Sequence, residues 1–227
     1  MDHRYYIDKV KSLGYDILEF QAQPLLEMSD GECRKIRKYA EERGIELSYS
    51  LGLNKKYDVA SGDEEVRKGG VEYLKRIVEK IAVMEGELFS GVTFAGWGLP
   101  DHFVDEAEKR ALFERSAESM REVMKTAEKE GVTVCVEAVN RFESPLINTA
   151  EEALRYADMV DSPNIGIHLD TYHMNIEENS IGEAIRKAGK RLRHFHTGEN
   201  NRNIPGRGHI DWDEVFGALK EIGYERN

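Results

Sequence analysis

The sequence predicts an α/β fold with parallel strands, and three observations lead to this prediction. Seven amphipathic stretches alternate with six short apolar runs along the 227 residues. Gly14, Gly44 and Gly131 stand where a predicted helix is followed by a predicted strand, as a left-handed C-terminal cap requires. No linker or shift in composition divides the chain, so we expect a single domain over residues 1–227.

Each predicted element follows from its periodicity. Apolar residues at helical spacing predict helices over 4–13, 30–43, 63–85, 105–130, 149–160, 181–188 and 211–222. Runs rich in β-branched or aromatic residues predict strands over 17–20, 45–49, 88–95, 132–139, 165–169 and 192–196. Strict alternation of the two means parallel strands with helical crossovers, in a doubly wound sheet or an (α/β) barrel.

The pattern begins and ends with a helix, so a strand is absent at each end. In an eight-stranded barrel the first and last strands are neighbours, and their joint absence leaves one contiguous gap. Barrels of this kind run to about 250 residues. We therefore expect a partial barrel that lacks its first and last strands and belongs to a longer protein. A complete six-stranded open sheet is the alternative.

Charge and composition exclude several classes of protein. The 32 Lys and Arg against 43 Asp and Glu give a net charge of -11, which opposes binding to nucleic acid. No apolar run is long enough to cross a bilayer, and no basic-then-apolar leader follows Met1. We expect a cytoplasmic protein without a membrane partner, in which Cys33 and Cys135 are plain buried thiols.

Strand parity selects three polar residues. In the run that ends at Glu137 the valines share the face that packs on helices, so Glu137 points to the barrel axis. The same alternation points Asp170 and His196 inward from the next two strands. Each residue stands at the carboxyl end of its strand, where barrel enzymes place their active sites.

Two carboxylates and one imidazole on adjacent strands, roughly 5 Å apart, repel one another unless something positive lies among them. A divalent metal satisfies this requirement, and this oxygen-rich set suits manganese, magnesium or cobalt. The absence of a thiolate argues against a closed structural zinc site. The alternative is that each residue is solvated or paired with Arg141 or Arg202.

The segments after these strands are rich in hydrogen-bonding side chains. Glu143, His173 and Arg202 follow the three predicted ligands by a few positions each. Many donors and acceptors around a metal suit a polyhydroxylated ligand such as a sugar, whose hydroxyls must be paired once water leaves. Solvated polar loops are the alternative.

Long motifs then carry a resemblance to the D-tagatose/D-psicose (allulose) 3-epimerase family. They are VEAVNRFE at 136–143, LDTYHMNIEE at 169–178, HFHTGE at 194–199, and Asn201-Arg202 with PGRG at 205–208. The resemblance covers most of the chain and weakens before about Gly86. It implies a (β/α)8 TIM barrel of the xylose-isomerase-like type.

The resemblance also implies a function. It implies a ketose 3-epimerase acting on free ketohexoses through an enediolate, with one manganese or cobalt ion. By motif position Glu137, Asp170 and His196 match three of the metal ligands, and Glu137 is also the catalytic acid–base group. Glu143, His173 and Arg202 match the residues that hold the ketose oxygens. We also expect a homo-oligomer.

One ligand of the family pattern lies outside this sequence. The resemblance places a second metal-binding Glu shortly after residues 222–224, and the sequence ends at Asn227 before it. Inversion at C3 requires an acid–base group on each face of the sugar, so we expect residues 1–227 by themselves to be nearly inactive on D-tagatose, D-fructose and D-psicose.

Three other functions compete with the epimerase. One is a different sugar isomerase of the same barrel type, and another is a noncatalytic sugar-binding remnant. A third is a metal-dependent abasic-site endonuclease, which should have more histidine ligands and a basic face. The net charge of -11 argues against the third.

Overall fold

The computed structural model describes residues 3–225. Six strands alternate with helices: β1 Ile17–Gln21, β2 Glu46–Gly52, β3 Leu88–Val92, β4 Thr133–Ala138, β5 Ile165–Asp170 and β6 Leu192–His196. The α-helices are α1 His3–Ser12, α2 Asp30–Glu41, α3 Glu64–Val83, α4 Glu106–Glu130, α5 Ala150–Val160, α6 Thr171–Glu177, α7 Ile181–Ala188 and α8 Trp212–Glu221. Short 3-10 helices cover Gln23–Glu27, Lys55–Tyr57 and Gly189–Arg191.

The six strands form one parallel sheet in sequential order, β1 to β6. This order is that of a curled half-barrel and matches part of a (β/α)8 barrel, so the predicted barrel is confirmed over the doubly wound alternative. Within residues 3–225, β1 pairs only with β2 and β6 only with β5. These two strands are therefore the edges of the sheet.

Local sequence determines where the helices begin and end. Ser29 caps α2 in a reciprocal box, because its hydroxyl accepts from the Glu32 amide and its own amide donates to the Glu32 carboxylate at 2.8 Å. The three predicted helix-ending glycines have φ values of +81°, +62° and +73° at Gly14, Gly44 and Gly131. That left-handed conformation is accessible to glycine at little cost, which confirms the predicted boundaries.

The core lies between the outer face of the sheet and the helices. Val134, Val136, Ile167 and Leu169, which alternate with the inward-facing residues of β4 and β5, are completely buried. This pattern is the one that strand parity predicts, and it directs the polar residues of the same strands to the barrel interior. Of the helices within residues 3–225, none has the length and apolar character to cross a membrane.

Candidate active site

The three predicted metal ligands converge at the carboxyl ends of their strands. Glu137, Asp170 and His196 each offer one ligand atom, and these atoms all lie within 4.8 Å of one another. Asp170 pairs with His196 in the sheet register, while Glu137 pairs with His168 one row below. The site therefore draws on two neighbouring rows of the barrel interior.

Glu137 is the least satisfied of these groups. Its carboxylate accepts no hydrogen bond from any residue in 3–225, and the nearest basic side-chain nitrogens are His168 Nδ1 at 3.7 Å and His173 Nε2 at 3.8 Å. Burial raises the pKa of Glu137 to about 8; the charge of His196 opposes the increase and those of Asp170 and Glu19 add to it. A buried carboxylate without a donor is stabilised by a cation, so this residue fits a metal ligand.

Asp170 is buried and uses its two oxygens differently. Oδ1 accepts a hydrogen bond from the Tyr172 amide at 2.8 Å and thereby caps α6. Oδ2 lies 3.1 Å from Arg202 Nη1. One oxygen fixes the carboxylate, and the other faces the site.

His173 is oriented by its neighbour Asn140. His173 Nδ1 accepts from the Asn140 amide at 3.1 Å and from Asn140 Nδ2 at 2.7 Å. Because Nδ1 is an acceptor, the neutral ring carries its proton on Nε2. Burial lowers the pKa of His173, which favours this neutral form. Asn140 Nδ2 also donates to Glu143 Oε1 at 3.1 Å, so one side chain positions two predicted sugar-binding residues.

Arg202 places a second hydrogen-bond donor beside Nε2 of His173. Its guanidinium stacks on the Tyr172 ring at 3.7 Å, with Nη2 3.2 Å from His173 Nε2 and 3.5 Å from Glu143 Oε1. Its φ of +63° is uncommon for a residue with a side chain, and such conformations concentrate at functional sites. Arg202 and the Nε2–H of His173 are both donors, so together they can hold one oxygen of a ligand.

Glu19 and His194 also belong to the site. Glu19 Oε2 lies 2.7 Å from His194 Nε2, and Glu19 Oε1 lies 3.3 Å from His196 Nε2. The sequence predicts a site role for neither His194 nor Glu19. A single charged residue inside the apolar run 17–20 was the available signal.

A second group of nitrogen ligands shares His196. His168, His194 and His196 offer ligand atoms within 4.8 Å of one another. His168, however, is completely buried and its Nδ1 is 2.8 Å from Ser90 Oγ. Burial and the neighbouring histidines lower its pKa well below the usual value, so it is a neutral interior residue.

The donor set fits a hard divalent cation. Two carboxylates and one imidazole meet at an accessible strand mouth, and no thiolate belongs to either group of potential ligands within residues 3–225. Such sets suit manganese, magnesium or cobalt. The ligand roles of these residues, and the sugar-binding roles of Glu143, His173 and Arg202, stay predictions.

Comparison with known proteins identifies the protein family. Residues 7–226 match the family described as "Xylose isomerase-like TIM barrel", and the chain belongs to that family. This result agrees with the curled parallel sheet and with a site at the strand carboxyl ends.

Within this family, the chain is similar to several individual enzymes. The chain is 43% identical to a D-psicose 3-epimerase of Ruminiclostridium cellulolyticum over 98% of this chain and 75% of the relative. It is 37% identical to an L-ribulose 3-epimerase of Mesorhizobium japonicum over 94% of this chain and 70% of the relative. The solved structure of the D-psicose 3-epimerase from Clostridium cellulolyticum H10 with D-tagatose has a TM-score of 0.95 and 42% identity, covering 100% of this chain and 78% of that one. The predicted resemblance to these isomerase-class enzymes is confirmed.

Proposed function

We propose that this protein is a metal-dependent ketose 3-epimerase that interconverts C3 epimers of free ketohexoses of the D-tagatose/D-psicose type. The observation that carries the proposal is the position of Glu137. Its carboxylate lies within 4.8 Å of ligand atoms of Asp170 and His196 and 3.8 Å from His173 Nε2, which in turn is 3.2 Å from Arg202 Nη2. An acid–base group beside oxygen-binding donors suits proton removal next to a carbonyl.

Glu137, Asp170 and His196 would hold the cation. A divalent ion held there would supply Lewis acidity, which polarises a ketose carbonyl and acidifies the neighbouring C–H. Asp170 would offer it Oδ2, the oxygen that now accepts from Arg202, since Oδ1 accepts from the Tyr172 amide.

The residues of the chain then divide the chemistry. Glu137 removes the C3 proton, the electron pair of the C3–H bond forms a C2=C3 double bond, and the π pair of the C2 carbonyl moves onto O2 to give an enediolate. Arg202 and the Nε2–H of His173 donate to an oxygen on which negative charge develops. Glu143, held by Asn140, accepts from a sugar hydroxyl. A second acid–base group, or a water molecule, then delivers a proton to the opposite face of C3 as the C2 carbonyl re-forms, which completes the inversion.

The test measures removal of the C3 proton separately from inversion at C3. The protein is incubated with D-psicose, D-tagatose, D-fructose or L-ribulose in D₂O, with manganese or with a chelator. NMR measures deuterium at C3, and chromatography measures the C3 epimer. We expect manganese-dependent exchange at C3 in at least one of these ketoses, lost in Glu137→Gln. Hydrogen exchange at C3 requires only that a proton is removed from one face of the sugar and that a deuteron is returned to the same face. It therefore reports on Glu137, whichever group protonates the opposite face.

A matched control and a contrary result complete the design. Glu118→Gln makes the same chemical change on the exposed surface of α4 and should leave exchange unaffected. Persistence of exchange in Glu137→Gln would contradict the role of Glu137. If no ketose exchanges at C3 while one of them binds, the result favours the sugar-binding alternative.

A further inference from the structure

Glu19 lies at the opposite edge of the sheet from the two histidines that it contacts. It belongs to β1, whereas His194 and His196 belong to β6, 175 and 177 positions later. The two edge strands share no backbone pairing within residues 3–225. The side chain of Glu19 therefore reaches across the barrel interior, where only a quarter of it is exposed.

Glu19 contacts the Nε2 atom of both His194 and His196. Its Oε2 is 2.7 Å from His194 Nε2, its Oε1 is 3.3 Å from His196 Nε2, and the two Nε2 atoms are 3.1 Å apart. Glu19 Oε2 is also 3.4 Å from His196 Nε2. The carboxylate of Glu19 accepts hydrogen bonds and the ring nitrogens facing it are the donors, so both rings donate to Glu19 from Nε2.

The contact with Glu19 determines which ring nitrogen of His196 is available to bind a metal ion. The Nε2–H is committed to Glu19, and Nδ1 of His196 has no hydrogen-bond partner among the described residues. About a third of the His196 side chain is exposed, at the mouth where Glu137 and Asp170 also lie. Metal-ligating histidines commonly donate their other ring N–H to a carboxylate, which fixes the tautomer and the ring orientation.

We infer that Glu19 is a positioning residue of the metal centre: it holds the Nε2–H of His196, so that His196 binds the cation through Nδ1. This inference rests on the proposed metal dependence and adds to it a residue from the far edge of the sheet. Glu19 touches neither sugar nor cation. It acts through His196, and its bond to His194 fixes the carboxylate in place.

The first experiment measures metal affinity rather than activity. Manganese binding is followed by isothermal titration calorimetry, with EPR of free Mn²⁺ as a second measure. Glu19→Gln keeps the shape but removes the charge, and we expect manganese affinity to fall about 10- to 100-fold. Glu19→Asp keeps the charge on a shorter side chain and should recover part of the loss. Glu46→Gln, the same change at the amino end of the neighbouring strand β2, should bind as the unmodified protein does.

The second experiment identifies the ligating nitrogen directly and needs no variant at Glu19. The protein is labelled with ¹⁵N-histidine, and its ring nitrogens are observed before and after addition of diamagnetic Cd²⁺, with His196→Gln used for assignment. We expect Nδ1 of His196 to take the coordination shift while Nε2 keeps its proton. This measurement remains decisive if Glu19→Gln does not fold.

The outcomes separate this inference from the proposed function. Coordination through Nε2 would overturn the inference, as would equal manganese affinity in Glu19→Gln and the unmodified protein. In both cases the metal-dependent epimerase would stand. Failure of the unmodified protein to bind manganese would overturn the proposed metal dependence and this inference together. A loss of thermal stability without a loss of affinity would show that Glu19 only ties the two sheet edges together.

Discussion

The guanidinium of Arg202 donates a hydrogen bond from Nη1 to Asp170 Oδ2 at 3.1 Å, although the two residues are 32 positions apart. The pair links the loop after β6 to the end of β5. It also joins the two halves of the proposed site, since Asp170 is a proposed metal ligand and Arg202 a proposed sugar-binding residue. A cation on Oδ2 would compete with this bond and free Arg202 for a ligand oxygen.

The first prediction concerns Arg202→Lys. Lysine keeps the charge but loses the planar stack on Tyr172 and the fork of donors. Loss of one hydrogen bond to charge costs about 1.5–3 kcal/mol, so we expect the C3 exchange rate to fall roughly 10- to 150-fold. Manganese affinity should stay the same or increase, because the Arg202 guanidinium no longer competes with the cation for Asp170 Oδ2. Arg207→Lys, on the exposed loop, is the control, and unchanged exchange in Arg202→Lys would remove Arg202 from the mechanism.

The second prediction concerns the tautomer of His173. In Asn140→Asp a carboxylate replaces the Nδ2 donor that is 2.7 Å from His173 Nδ1. A nearby negative charge favours the protonated ring, so the pKa of His173 should rise, as measured by NMR titration of the ring Cε1–H. Exchange at C3 should fall as the oriented neutral ring is lost. Asn201→Asp, on the exposed loop, is the control. An unshifted pKa would show that Asn140 does not set the tautomer.

The sequence predicted the elements that obey a local rule. Alternation within one strand placed Glu137, Asp170 and His196 on the inner face, and the structure brings them together. Glycine at helix ends gave boundaries within a few residues, because the left-handed cap depends on a single residue. Such features need no knowledge of distant parts of the chain.

The residues that sequence reasoning missed depend on distant partners. Glu19 acquires its role from histidines about 175 positions away, across strands that share no backbone pairing within residues 3–225. The sequence predicts no helix at the position of α6, because its seven residues are too few to show a helical period. It depends instead on the Asp170 cap, and it carries His173 to the site.

The third prediction uses two adjacent glycines of α3 with opposite surroundings. A Cβ at Gly70 would lie 2.2 Å from the Tyr57 carbonyl oxygen, whereas a Cβ at Gly69 would meet nothing within 4 Å. Gly70→Ala should destabilise the protein by about 1–3 kcal/mol through overpacking. Gly69→Ala should stabilise it by about 0.5–1 kcal/mol, since alanine favours a helix interior. Urea unfolding measures both, and equal effects would contradict the packing of Tyr57 against α3.

The fourth prediction concerns Glu199, a buried residue in the loop that carries Arg202. Glu199 Oε1 accepts from the Gly206 amide and from Trp212 Nε1, both at 2.7 Å, and Oε2 accepts from the Ile210 amide at 3.3 Å. Burial opposes ionisation of this carboxyl, but these hydrogen bonds lower its pKa below the usual value. The ionised form therefore stabilises the loop.

The sign of the pH dependence follows from that direction. Because the pKa is lower in the folded than in the unfolded protein, the stabilisation is complete above the unfolded pKa of about 4.3 and is lost as the pH falls through the folded value. Glu199→Gln should lower the melting temperature at pH 7, and the difference from the unmodified protein should shrink as the pH falls below the unfolded pKa of about 4.3 and through the lower folded pKa, below which Glu199 is neutral in both states. Glu118→Gln, exposed on α4, should show no such pattern when both are followed by calorimetry. A difference in melting temperature that stays constant with pH would mean that the amide fails through shape rather than charge.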